Sequence, residues 1–150
     1  MGEVTVSFRG TFTHSLDSKG RLTIPARMRE DLEAGLVLTR GYGPYLIIYP
    51  QHFWDEQERL LKSLPWSSDE RQIYARWTFG GAADVSLDTL GRILIPDHLR
   101  EWADLEDRAT IVGAQEAIEI WSPERHEAVL TGDQEKLPDI LRSLSAKGLF

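Results

Sequence analysis

Two rhythms of apolar and polar positions run along this 150-residue chain. The first is alternation. Residues 11–16 set Phe12 and Leu16 on one side of an extended segment and predict a short strand. Asp17 and Gly20 then mark a turn, because an Asp carboxylate accepts from nearby backbone N–H groups and a glycine adopts positive φ freely. Residues 21–24 return as a second strand. Pro25 is expected at the first position of a short helix, where the missing N–H costs nothing, with Met28 and Leu32 one turn apart on the inner face. Further strands are expected at 36–39 and 45–49. The second rhythm has the helical period. Pro50 opens a helix over 51–62. Ser68 or Asp69 caps another that runs to about Trp77, with Ile73, Tyr74 and Trp77 at helical spacing, before Gly80 and Gly81 end it.

The first rhythm then starts again. SLDSKGRLTIPARMRE at 15–30 and SLDTLGRILIPDHLRE at 86–101 share nine identities in sixteen positions at an offset of 71. Chance does not give this pattern, and two copies at so long a period are too few for a solenoid. Duplication of a half-domain is the reading. In copy two, strands are expected at 85–87, 92–95, 109–113 and 117–121. Asp88 and Gly91 form the turn, and Pro96 opens a helix with Leu99 and Ala103 inward. Pro123 opens a helix over 124–130. A separate one is expected over 133–147, with Leu137, Ile140, Leu141 and Leu144 on one face.

Charge sharpens this picture. The net charge of −7 looks wrong for a nucleic-acid binder, since phosphate neutralisation by Lys and Arg dominates that affinity. The distribution matters more than the sum. Residues 83–150 carry the whole −7, whereas the first 29 residues carry +3 through Arg9, Lys19, Arg21, Arg27 and Arg29. A basic surface is therefore expected at one end only. The chain has no cysteine, which removes disulfide frameworks and thiolate metal sites. Neither a signal-peptide pattern nor a run of about 18 apolar residues occurs, so a cytoplasmic location is expected.

The doubled Leu-Asp-x-x-Gly-Arg-(Leu/Ile)-x-Ile-Pro, at 16–25 and 87–96, resembles the MraZ family, as does the Phe8-Arg9-Gly10 start. Each unit resembles the SpoVT-AbrB, or swapped-hairpin, DNA-binding domain. The resemblance implies an α+β fold: a tandem swapped-hairpin (AbrB-like) β-barrel formed by two repeats and flanked by helices. The boundaries it suggests are 8–53 for the first repeat, 54–82 for a helical connector, 83–126 for the second repeat and 127–150 for a C-terminal helix. It also implies a ring homo-oligomer, octamer or dodecamer, bound to double-stranded promoter DNA with short direct repeats. Its role would be repression of the bacterial division and cell-wall gene cluster, in the cytoplasm at the nucleoid, with no cofactor and no metal. Residues 1–7 precede the usual start of the family, and Leu90 replaces Lys19 at the second turn.

The candidate DNA-binding residues are Arg9, His14, Asp17, Lys19, Arg21 and Arg92, with Gly20, Asp88 and Gly91 as structural turn residues. An arginine suits the position after a tight turn because its planar fork pairs bidentately with phosphate or with guanine O6 and N7. Asp17 organises the loop, Lys19 adds a phosphate contact at the apex, and Arg9 and His14 are expected on the preceding strand near the same face. Each has a plainer reading beside it. Asp17–Arg21 and Asp88–Arg92 also serve as simple turn bridges, and His14 as an ordinary strand histidine. Arg27 reads as a solvated helix charge, and the recurring Arg29 and Arg100 as scaffold. The five tryptophans read as core or subunit-interface residues.

Because copy one keeps Lys19 and lies in the positive stretch, its turn is expected to be the main DNA reader, with copy two completing the fold. An enzyme is disfavoured: Asp55, Glu56 and Glu58 share a helix with Arg59 and Lys62, and no metal-spaced histidine pair, phosphate loop or nucleophile elbow occurs. The alternative is an antitoxin-like protein-binding module. Tails of that kind are charged and disordered, whereas this C-terminus is patterned as a helix.

Overall fold

The duplicated segments fold alike and then pair with each other. The computed structural model describes residues 6–150, which form a mixed α+β structure. Copy one contributes β1 (Thr11–Ser15), β2 (Arg21–Thr23), α1 (Ala26–Arg29) with a single 3-10 turn (Glu30–Leu32), β3 (Leu36–Arg40) and β4 (Leu46–Pro50). Two helices follow, α2 (Gln51–Lys62) and α3 (Asp69–Thr78). Copy two contributes β5 (Ala83–Val85), β6 (Arg92–Leu94), α4 (Asp97–Trp102), β7 (Arg108–Ala114) and β8 (Ala117–Trp121), and α5 (Pro123–Ala146) closes the chain.

Six strands form one antiparallel sheet in the order β1-β7-β8-β4-β3-β5. Exchanging the two copies turns this order into its own reverse, so the sheet has a pseudo-two-fold axis between β4 and β8. The first strand of each copy lies against the other copy: β1 on β7, with Phe12 opposite Ile111, and β5 on β3, with Val85 opposite Leu36. The second strands leave the sheet and pair across the copies as a ribbon, Leu22 opposite Ile93. A bridge between Leu16 and Leu22 joins β1 to that ribbon. Among the described residues the hydrogen bonding runs in these two separate sheets, with β1 and β5 at the edges of the larger one.

Alternation explains the core. One face of the sheet sends Leu36, Leu38, Leu46, Ile48, Ile111, Ile118 and Ile120 inward against Leu22, Ile24, Ile93 and Ile95 of the ribbon segments. Met28, Leu32, Leu99 and Ala103 of the short helices seal the ends. The opposite face packs Val37, Ile47 and Tyr49 against Trp54 of α2 and Phe79 beyond α3.

Several expectations shift. Pro25 and Pro96 are N-cap residues with extended ψ rather than the first helical residues, so α1 and α4 each start one residue later, whereas α2 follows its N-cap Pro50 over the expected 51–62. Copy two's first strand lies at 83–85, earlier than the expected 85–87. The C-terminal segment is one helix, not two. It runs through Gly132 and Pro138, and it starts where the Ser122 side chain accepts from the Arg125 N–H at 3.2 Å. Pro138 removes one bond from the ladder, and because the helix is exposed there the freed carbonyl of Gln134 is left open to solvent.

Candidate nucleic-acid interface

The two Asp–Gly turns are built the same way. Asp17 Oδ1 accepts from the Lys19 N–H at 3.0 Å and the Arg21 N–H at 2.9 Å, while Oδ2 accepts from Arg21 Nε at 2.6 Å. Asp88 Oδ1 accepts from the Leu90 and Arg92 N–H groups, both at 2.9 Å, and Oδ2 from Arg92 Nε at 2.8 Å. Gly20 and Gly91 have φ of +87° and +75°, the left-handed region the turn requires. The backbone N–H bond from Arg21 holds the Asp17 carboxyl below the usual aspartate range, and the Arg92 N–H does the same for Asp88, each reinforced by the guanidinium. Both carboxylates are therefore ionised at neutral pH. Each fixes its arginine by the Nε edge. The Nη groups of Arg21 and Arg92 make no other hydrogen bond among the described residues, which leaves part of each planar fork free to point outward.

Two further arginines back these turns. The Arg100 guanidinium lies against Gly20, where an added Cβ would sit 2.8 Å from Cζ, and the Arg29 guanidinium lies against Gly91. Each turn of one copy is thus supported by an arginine of the other. Arg29 Nε donates to the Ile24 carbonyl at 2.7 Å, and Arg100 pairs with Asp97. The recurrence of Arg29 and Arg100 follows from that packing.

The ribbon joins the two turns into one surface. Ile24 N–H donates to the Gly91 carbonyl at 2.9 Å, and Ile95 N–H to the Gly20 carbonyl at 2.8 Å. Leu22 and Ile93 are fully buried, so Arg21, Thr23, Arg92 and Leu94 share the outward face. Arg21 stands opposite Leu94 and Arg92 opposite Thr23. The two arginines are therefore diagonal neighbours, a relation that spaces residues by about 7–8 Å. Geometry treats them as equals, although composition ranks copy one first.

The remaining candidates are placed as follows. Lys19 is exposed at the first apex. Arg9 is exposed but precedes β1, beside the Phe8–Gln115 bridge, and with Arg27 and Met28 lines a separate surface depression. Arg27 stands over the Phe12 ring at 5.7 Å. His14 is half-buried on the Phe12 side of β1, in register with Ala109, whereas Thr11, Thr13 and Ser15 take the exposed side. The structure thus gathers Asp17, Lys19, Gly20, Arg21, Asp88, Gly91 and Arg92 around the ribbon, with Arg9 and His14 apart. Of the tryptophans, Trp54 and Trp121 are buried, and Trp77 meets Trp102 edge to face at 5.0 Å. The sequence reading leaves out Thr23 and Leu94, although alternation counted from Leu22 and Ile93 points to both.

Comparison with known proteins points to one family. The sequence pattern of the family described as "MraZ protein, putative antitoxin-like" matches residues 7–76 and again 78–139, one match for each copy. A protein of Roseiflexus castenholzii named transcriptional regulator MraZ is 49% identical over 124 residues, 83% of this chain and 87% of that protein. One of Herpetosiphon aurantiacus with the same name is 39% identical over 142 residues, 95% of this chain and 99% of that protein. Another, of Desulforamulus reducens, is 45% identical over 117 residues, 78% of this chain and 82% of that protein.

Proposed function

The chain belongs to the MraZ family, and from that premise we propose that it is a non-enzymatic, sequence-specific DNA-binding transcription regulator that works through the outward face of the β2–β6 ribbon. The observation that carries this reading is the pair of identically built turns at the ribbon's two ends. Each presents an arginine held by its Nε edge with Nη groups uncommitted. An Asp that fixes the guanidinium lowers the entropy lost when the fork meets guanine or phosphate. Lys19 adds charge at one apex, while Asp88 at the other turn is engaged by Arg92 and Asp97 by Arg100.

The finer reading follows the family resemblance. The sheet and ribbon, joined at the Leu16–Leu22 bridge, act as its tandem swapped-hairpin barrel. Residues 8–53 and 83–126 are the two repeats, 54–82 the connector and 127–150 the C-terminal helical segment. The regulator assembles as a ring on promoter direct repeats and represses the division and cell-wall gene cluster, in the cytoplasm at the nucleoid. Arg9 and His14 contribute at the margin of the DNA surface.

A mobility-shift titration on the DNA upstream of the chain's own coding sequence tests this. Arg21→Ala and Arg92→Ala are each expected to weaken the shift by about fivefold to 150-fold, in line with about 1–3 kcal/mol for a good arginine–base pair. Unchanged affinity in both variants removes the ribbon as the reader. A shift lost only with Arg21→Ala assigns reading to copy one alone. The second reading, an antitoxin-like protein-binding module, is favoured by the exposed Leu130, Leu137, Ile140 and Leu141 of α5. It gains if the chain leaves this DNA unshifted at low salt.

A further inference from the structure

The outward face of the ribbon exposes an apolar side chain that the fold does not cover. Leu94 is 55% exposed and stands directly opposite Arg21. Its counterpart in the repeat is Thr23, opposite Arg92. The apexes differ in the same sense: Lys19 in copy one, and Leu90, also exposed, in copy two. The other parts of the two ends match, namely the Asp, the Gly, the Arg and the arginine behind each turn. The ribbon is symmetric in its arginines and asymmetric in its apolar groups.

We propose that the ribbon reads a directional DNA element in the major groove, with Leu94 packed on a thymine 5-methyl beside the base that Arg21 contacts. This inference rests on the DNA-binding reading above and adds a specificity-determining residue to it. The major groove admits a two-stranded β-ribbon. The thymine methyl is the apolar group that base edges present there. A leucine surrounded by water gains when a methyl covers it, and a leucine beside an arginine fork reads a thymine next to a guanine. Thr23 offers a single methyl and a hydroxyl at the opposite end, so the two half-elements differ. A two-fold symmetric reader fits inverted repeats. A reader with unequal ends has an orientation, and copies sharing that orientation fit direct repeats.

The test uses the full-length chain and the DNA upstream of its own coding sequence, prepared once with thymidine and once with deoxyuridine, which lacks the 5-methyl. The wild-type chain is expected to bind the thymidine fragment more tightly, by about fourfold for each methyl it covers. Leu94→Ala is expected to bind the two fragments equally, while Thr23→Ala keeps most of the preference. Circular dichroism and sedimentation of the free variants are expected to match the wild-type chain, because Leu94 lies outside the core. Equal binding of both fragments by the wild-type chain, or a preference that survives Leu94→Ala, overturns the inference alone. So does a changed sedimentation coefficient for Leu94→Ala, since Leu94 would then cover another copy of the chain. Failure of the wild-type chain to bind either fragment overturns it together with the DNA-binding reading.

Discussion

Asp17 and Asp88 each close a turn through two backbone N–H groups and aim an arginine through a third bond, so a single carboxylate couples loop shape to guanidinium direction. Both have folded-state pKa values below the ordinary 3.8. A lowered value means that the contribution is fully present above 3.8 and is lost as pH falls through the folded value. The Gly20 and Gly91 amide shifts in an NMR titration should therefore stay flat from neutral pH down to that point and move only below it. A transition between about pH 5 and 6, where a free carboxylate does not titrate, would mean that other groups hold the turns. The glycines give a second prediction at this scale. Gly91→Ala places a Cβ in the left-handed region and against the Arg29 guanidinium. It should lower stability by at least about 1–2 kcal/mol in urea unfolding. These features were legible in the sequence because they are local: the Asp, the Gly and the Arg lie within five residues of one another in both copies.

The ribbon is where sequence reasoning stopped short. Alternation states that Leu22 and Ile93 point inward, but not that they face each other, because β2 and β6 are three residues each and 71 positions apart. The same non-local pairing puts β1 on β7 and β5 on β3, and no period within one copy encodes it. Without that pairing, charge alone ranked the first turn above the second. At the C-terminus, the expected division between 124–130 and 133–147 is one the helix does not make, and the Gly132 between them weakens a helix by only about 1 kcal/mol. The pairing has an energetic consequence. Leu22→Ala removes a fully buried side chain and should cost about 2–5 kcal/mol, measured by urea unfolding. Because the ribbon carries both turns, this variant should also perturb the Gly20 and Gly91 amides together. A change confined to Gly20 would show that the turns are held by their own copies.

At the scale of the whole molecule, the difficulty is that a chain of net charge −7 must bind a polyanion. The exposed or half-exposed cations at the ribbon are Lys19, Arg21 and Arg92, with Arg9 and Arg27 at a separate depression. If all five met phosphates, one chain would give a slope of log K against log salt no steeper than about −4.5, at roughly −0.9 per phosphate contact. Several copies held together repeat the contact, and linking weak sites raises affinity by about 10²–10⁴ without any new interaction. A ring bound through several subunits should therefore show a slope well beyond the single-chain bound. The Lys19→Ala variant then counts the subunits, because each engaged copy loses one phosphate contact and the slope becomes shallower by about 0.9 for every copy on the DNA. A loss near 1 means one chain, and a loss of about 3–4 means as many subunits side by side. Comparing Arg92→Ala on the same fragment separates the two ends of the ribbon. Equal losses from the two variants assign phosphate contact to both turns in every engaged subunit. An unchanged slope with weakened binding assigns Arg92 to a base edge, where it discriminates sequence without releasing a counterion.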